Sequence, residues 1–245
     1  MKHMIHSAIS SSSHRISIDL VGVGGTGSHV LMNLAMISNA LTQIDRQPLH
    51  VISFDPDIVS ESNINRQVFS PADIGDYKAK VLTERINRYY GFEWDFYPEL
   101  YPTYRNEPLG PDIIISAVDT ISVRKQIEES WHMRRSARYW LDIGNNRRIA
   151  QIILGSDPEG AGKQKKGFRN KLPHFFEEFP DIKDTDDDGP SCSAWESLNK
   201  QDLFINKIIA TYATHMLWQL LVDFIIDYRG MYINLETMKV SKIPI

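Results

Sequence analysis

Gly22, Gly24 and Gly27 satisfy the spacing G-x-G-x-x-G, with Gly25 a fourth glycine inside it. Glycines so spaced let a backbone turn tightly and come close to phosphate. A helix starting there offers unpaired N–H groups and a partial positive charge to an anion. Dinucleotide and mononucleotide binders share this pattern, and a purely structural Gly-rich turn satisfies it too. Asp55 stands 28 residues beyond Gly27, at the end of an apolar run. An acid there can take both ribose hydroxyls of any adenosine, so loop and acid point to an adenine nucleotide without saying which. Asp57, Asn63, Arg66 and Gln67 follow in one segment. Lys78 comes next, then Asp119, with Arg124 five residues further on. Taken alone, Arg66 and Lys78 read as surface cations and Asp119 as a helix N-cap. The only cysteine, Cys192, is either a small incidental hydrophobe or a nucleophile.

The elements that must position these residues are legible from hydrophobic periodicity. Residues 16–21 alternate and then turn apolar, as a buried first strand does, and the glycine loop follows directly. Residues 28–41 read as a helix with Val30, Leu31, Leu34, Ile37 and Leu41 on one face. Residues 49–54 form a second strand, 79–90 a second helix with Val81, Leu82 and Ile86 inward, and 92–97 a short strand. Residues 112–118 are strongly β-like, 122–136 helical, and 139–143 and 149–154 are further strands. Strands alternating with helices predict a doubly wound, Rossmann-like α/β fold with a mostly parallel sheet. Ligands of such sheets bind beyond the carboxyl ends of the strands, where the glycine loop, Asp55 and Asp119 all fall.

From 155 to 190 the periodicity breaks into a mobile crossover loop. It carries a basic run (Lys163, Lys165, Lys166, Arg169, Lys171), an apolar island (Phe175, Phe176, Phe179) and an acidic run (Asp184, Asp186, Asp187, Asp188). The charge runs read as solvated faces. Residues 201–228 predict one long C-terminal helix, apolar around much of its circumference, and 231–245 a closing hairpin or edge strand. Residues 1–14 are polar and Ser-rich and read as a flexible tail ahead of a single domain over 15–245.

The run from Phe54 through Asp55-Pro56-Asp57 to Ser62-Asn63-Ile64-Asn65-Arg66-Gln67 narrows the field, together with Gly75-Asp76-Tyr77-Lys78 and Asp119. Here the chain resembles the ubiquitin-activating enzymes and their bacterial ThiF- and MoeB-like relatives. That family carries a Gly-x-Gly-Gly-x-Gly loop, an Asp-x-Asp opening a run that ends Ser-Asn-x-x-Arg-Gln, a Gly-x-x-Lys, and an Asp closing a later strand. The resemblance covers residues 16–155 strongly. It is nearest to small bacterial single-domain members found beside ubiquitin-like and conjugating-enzyme-like partners. It implies an adenylyltransferase that consumes ATP with Mg²⁺ and activates the C-terminal carboxylate of a ubiquitin-like or sulfur-carrier protein. It also implies roles: Asp55 on the ribose, Asn63, Arg66 and Lys78 on the phosphates, and Asp119 supporting Mg²⁺ and the reacting centre. Bringing two anions together requires such cations and donors. Many members add an arginine from the N-terminal region of a partner subunit, and Arg15 matches it poorly. The paired Cys-x-x-Cys zinc motifs of many relatives are absent, so no structural zinc is expected.

Members that form thioesters carry a Pro-x-Cys-Thr run at the crossover, and Pro190-Ser191-Cys192-Ser193 is similar. The resemblance therefore implies a thioester on Cys192. Adenylation alone, serving a sulfur carrier, is the alternative, and a non-catalytic scaffold that binds a ubiquitin-like tail is a third reading. An NAD-dependent oxidoreductase leaves the Asn63–Gln67 run and Lys78 without a role. Family members commonly dimerise through the C-terminal region, so a homodimer is expected. Net charge is −4, which gives no nucleic-acid footprint, and one cysteine excludes an internal disulfide. The most apolar late stretch is broken by Asn206, Lys207, His215, Gln219 and Asp223. No membrane span is expected, and the chain reads as cytoplasmic.

Overall fold

Ile113, Ile114 and Ile115 are all fully buried, as a strand must be when helices cover both faces of its sheet. In the computed structural model, residues 1–64, 66–102, 110–134, 137–157, 165–182 and 202–245 are described. The chain begins with β1 (His3–Met4), α1 (Ser7–Ser10), β2 (Ser17–Val21), α2 (Gly25–Gln43), β3 (His50–Phe54), α3 (Lys78–Tyr90) and β4 (Asp95–Tyr97). Next come β5 (Ile113–Ser116), α4 (Ile121–Arg134), β6 (Tyr139–Asn145), β7 (Ile149–Ser156) and α5 (Phe175–Glu178). The order closes with α6 (Ile205–Asp223), β8 (Ile225–Ile226), β9 (Tyr228–Asn234) and β10 (Lys239–Pro244).

The main sheet has the order β10-β9-β7-β6-β5-β2-β3-β4. Strands β4, β3, β2, β5 and β6 are mutually parallel. Strands β7, β9 and β10 extend the sheet in antiparallel fashion. This is the expected doubly wound α/β architecture, with the hairpin closing one edge. From β2 the chain moves one way to β3 and β4, then back across to β5 and β6. The β2–β5 border is therefore the topological switch point, where open sheets bind ligands. Val21 pairs in register with both Phe54 and Ser116. Three strands thus end level, and the segments leaving them emerge side by side.

Successive strand residues face opposite sides of the sheet. Ile113 and Ile115 join one core with Leu34 of α2, Leu82 of α3 and Leu217 of α6. Ile114 joins a second core with Ile127 and Trp131 of α4, Trp140 of β6 and Phe175 of α5. The apolar island of the crossover is thus part of this core, so residues 165–182 do not form the loose loop the sequence suggested. Gly155 is needed there, because a Cβ on it would lie 2.5 Å from the His174 Cβ. Lys165 and Lys166 are exposed, as the solvated reading requires.

Two further expectations are corrected. The C-terminal helix stops at Asp223, because Phe224 adopts a left-handed conformation (φ 60°). Arg46 donates to the Leu221 carbonyl and lies over the Phe224 ring, a cation where the helix dipole favours one. The N-terminal residues, read as a flexible tail, are docked. His3–Met4 pairs with Ile225–Ile226, and buried His3 contacts the Tyr139 hydroxyl at 2.9 Å and the Arg169 carbonyl at 2.8 Å. Ile5 and Ile9 sink their side chains alongside. Among the described residues no helix is long and apolar enough to cross a membrane.

Candidate active site

The glycine loop leaves β2 at the switch point. Gly22 has φ +89°, and a Cβ there would stand 2.6 Å from the Ala117 carbonyl oxygen. A Cβ on Gly27 would lie 1.8 Å from the Gly22 carbonyl oxygen. These two glycines are demanded by the turn and by the close pass of α2 over it. Gly24 differs: a Cβ there would meet nothing within 4 Å among the described residues. Gly24 caps α2 without a side-chain hydrogen bond, and the helix starts at Gly25, a turn earlier than expected. The loop thus presents an open face beside the uncapped helix start.

Asp55 follows β3 and is almost completely buried. Its Oδ2 accepts the Val23 N–H at 2.6 Å, and its Oδ1 accepts the Asp57 N–H at 2.9 Å. This carboxylate staples the glycine loop to the end of the neighbouring strand. Burial pushes its pKa above the ordinary carboxylate value, with nearby Lys78 pulling the other way. Asp57 is exposed and pairs with Lys78, whose ammonium is buried. A buried cation at the first residue of α3 opposes the helix dipole, so its partner must hold it there.

Arg66 and Val68 meet the first turns of α2 through His29 and Ser28. Asn63 Oδ1 accepts the Ser60 N–H at 2.9 Å and the Ser60 hydroxyl at 3.1 Å, closing a capping box. The Asn63 carbonyl accepts the N–H groups of Arg66 (3.2 Å) and Gln67 (3.0 Å), and Val68 N–H donates to Ser28 Oγ. Arg66 is half-buried, and that burial draws its pKa below the ordinary arginine value. His29, on the first turns of α2, contacts the Arg66 backbone. Burial first, and then Lys207, lower its pKa. Buried Gln67 Oε1 has no hydrogen-bond partner among the described residues.

Asp119 is exposed, three residues past the end of β5. The helix that follows begins at Ile121, and Arg124 N–H bonds the Thr120 carbonyl. Asp119 thus stands two residues ahead of α4. Arg124 lies beneath this end of the sheet. Its Nε donates to buried Asp142 Oδ1 at 2.8 Å, and its guanidinium sits 4.9 Å above the Phe175 ring. The same Oδ1 accepts the Ser116 hydroxyl at 2.6 Å, and Ser116 Oγ accepts Trp140 Nε1–H at 2.8 Å. Arg15 precedes β2 at the strand end opposite the loop and is exposed. Cys192 lies outside the described residues.

One cluster went unforeseen. The Thr26 hydroxyl lies 3.0 Å from both Asn145 Oδ1 and Asn206 Oδ1, and Asn145 Nδ2 donates to Asn206 Oδ1 at 3.2 Å. A Cβ on Gly25 would stand 2.8 Å from Asn206 Nδ2. The starts of α2 and α6 and the end of β6 meet here. The only sequence signal was a polar residue, Asn206, inside an apolar helix. The fold thus gathers the glycine loop, Asp55, Asp57, Asn63, Arg66, Gln67 and Lys78 around the ends of β2 and β3, with Asp119 leaving the next strand.

A family model described as the ThiF family matches residues 8–138, more than half of the chain. The chain belongs to the ThiF family. Among solved structures, PaaA superposes with a TM-score of 0.61 at 16% identity, over 94% of this chain and 64% of that one. E. coli MccB solved with succinimide gives 0.61 at 16%, over 96% and 66%. E. coli MccB solved with ATP gives 0.60 at 15%, over 96% and 65%. Identities this low show a shared fold. This ThiF-family chain spans just under two thirds of the length of those structures. Among curated proteins, none matches it by sequence.

Proposed function

We propose that this ThiF-family chain is an adenylyltransferase that uses ATP to activate the C-terminal carboxylate of a ubiquitin-like protein. The observation that carries this reading is the open Gly24 face beside the uncapped start of α2, with buried Lys78 close by at the same strand ends. An oxidoreductase has no need of a cation held there by Asp57. In this reading a substrate carboxylate oxygen bonds to the α-phosphorus of ATP as pyrophosphate leaves. Backbone N–H groups of the glycine loop, Asn63, Arg66 and Lys78 meet the phosphate charge, and Asp55 takes the ribose hydroxyls. Asp55 retains that capacity, since each carboxylate oxygen accepts more than one hydrogen bond. The exposed carboxylate of Asp119 suits Mg²⁺, a hard cation that prefers oxygen ligands. Mg²⁺ supplies charge shielding on the phosphates.

E. coli MccB has been solved with ATP and, separately, with AMPCPP and MccA. Those structures lend the proposal a precedent on the same fold. In the fuller form of the proposal the acyl group passes from AMP to the Cys192 thiolate, forming a thioester and releasing AMP. Adenylation without that transfer is the second reading, and it accounts for the same described residues. A conjugating enzyme then receives the acyl group in the first reading only. A homodimer rests on family resemblance alone. Ile209, Ala213, Met216 and Leu220 of α6 are fully buried within one chain, while Tyr212 stays exposed.

The test mixes the chain with ATP, Mg²⁺ and a candidate ubiquitin-like protein, and follows pyrophosphate release and non-reducing intact mass. A reductant-sensitive adduct that is lost in Cys192→Ala supports the thioester route. Pyrophosphate release without an adduct supports adenylation alone. Tight NAD binding with no ATP binding would sink both.

A further inference from the structure

Glu128 and His132 stand four residues apart on α4 and so share one helix face. His174 reaches both from the segment just ahead of α5. Its Nε2 lies 3.7 Å from Glu128 Oε1, and His132 Nε2 lies 3.9 Å from the same oxygen. One ligand-capable atom from each residue falls within 4.8 Å of the other two. These separations are too long for hydrogen bonds. The two separations to Glu128 Oε1 are close to the spacing of ligands around one ion: donors about 2.0–2.1 Å from a tetrahedral centre stand roughly 3.3 Å apart.

The histidine at the centre is held firmly. Its side chain is only 6% exposed. Its ring stacks on Trp140 at 5.7 Å and meets Trp131 edge-on at 5.3 Å. Its backbone N–H donates to Glu177 Oε2 at 3.1 Å, and Lys171 Nζ holds the other Glu177 oxygen at 2.5 Å. That carboxylate positions His174, and its Oε2 also lies 3.4 Å from His174 Nε2, closer than Glu128 Oε1. The ring itself stays incompletely bonded, because buried Nδ1 has no hydrogen-bond partner among the described residues.

We propose that Glu128, His132 and His174 form a site for one zinc-class divalent cation, with a fourth position open to water. Two imidazoles and one carboxylate are a donor set that suits Zn²⁺ and disfavours Mg²⁺. The site is separate from the glycine loop. Glu128 and His132 lie seven to eleven residues along α4 from its start, about 10–16 Å down the helix axis. The cation clasps α4 to the crossover segment on the second core's face of the sheet. None of these three ligands is a cysteine, so the lack of paired Cys-x-x-Cys motifs has no bearing on it.

The experiment titrates the metal-free full chain with Zn²⁺ by calorimetry, and with Co²⁺ by its visible d–d absorption. One ion per chain is expected, with a raised melting temperature and a Co²⁺ band displaced by Zn²⁺ but not by Mg²⁺. His132→Asn and Glu128→Gln should each weaken Zn²⁺ binding about tenfold or more. His132 is 59% exposed in its side chain, so its replacement keeps the fold even if His174→Asn does not. Cys192→Ala should bind as the parent does. Failure of the parent chain to bind Zn²⁺ stoichiometrically overturns the proposal, as does equal affinity in His132→Asn.

Discussion

Lys78 holds Asp57 twice, through its ammonium to Oδ2 at 2.7 Å and through its backbone N–H to the carbonyl at 2.9 Å. One partner is buried and the other is 65% exposed in its side chain. The carboxylate therefore stays solvated when the ammonium is removed. Lys78→Met keeps the apolar stem and removes the charge. Adenylation should fall by about 10²–10³ if this cation meets developing phosphate charge. Stability should change by less than about 1 kcal/mol. ATP–pyrophosphate exchange and thermal melts read the two separately, and full exchange activity would remove Lys78 from the site.

The glycines of the loop should separate by role. Gly22→Ala forces a Cβ against the Ala117 carbonyl at positive φ, and should cost about 1–3 kcal/mol in stability. Gly24→Ala meets open space, so its melting temperature should stay near that of the parent while ATP affinity falls. Equal destabilisation by both would mean that the face at Gly24 is not open.

Arg124 and Asp142 are both buried, at 5% and 1% side-chain exposure. Arg124→Ala leaves that carboxylate without its cation, and should cost about 3–5 kcal/mol in denaturant unfolding. Adding Asp142→Asn should recover part of the loss. A single variant as stable as the parent would show that the pair carries no such weight.

His29 gives a pH signature. Its folded pKa lies below the ordinary 6.5, chiefly through burial. The unfolded chain then takes up this proton at a higher pH than the folded one does. The stabilisation is complete above about pH 6.5 and is lost as pH falls through that region toward the folded value. His29→Gln should flatten this acid limb of a stability–pH curve. Bound nucleotide phosphates near Arg66 should raise the folded pKa, which an NMR titration of the ring with and without ATP would detect.

Residues that answer to local chemistry were legible in the sequence. The run Ile113-Ile114-Ile115 could only be a doubly covered strand, and Gly22 and Gly27 could only be a tight turn before a helix. Long-range pairing was not legible. His3–Met4 is a strand only because Ile225–Ile226 lies beside it. The end of α6 was hidden because Phe224 enters the left-handed region with no glycine or proline to announce it. Asn206 looked like an interruption of an apolar helix, since its partners Thr26 and Asn145 are far away in the chain. The Glu128–His132 spacing was visible, but without His174, which a crossover loop delivers, it had no meaning.

The hydrogen bond from Thr26 to Asn206 spans 180 positions of sequence. At a synthesis rate of about 5–20 residues per second, that separation is roughly 10–40 s of translation. Throughout that interval the nascent chain carries its glycine motif without the polar bracket that steadies the start of α2. The family match ends at residue 138, well before Asn206 exists. A fragment ending there carries the glycine loop and the run from Asp55 to Lys78, and still lacks the Asn206 support at the start of α2. The polar bracket at the start of α2 is completed late, when the last long helix docks.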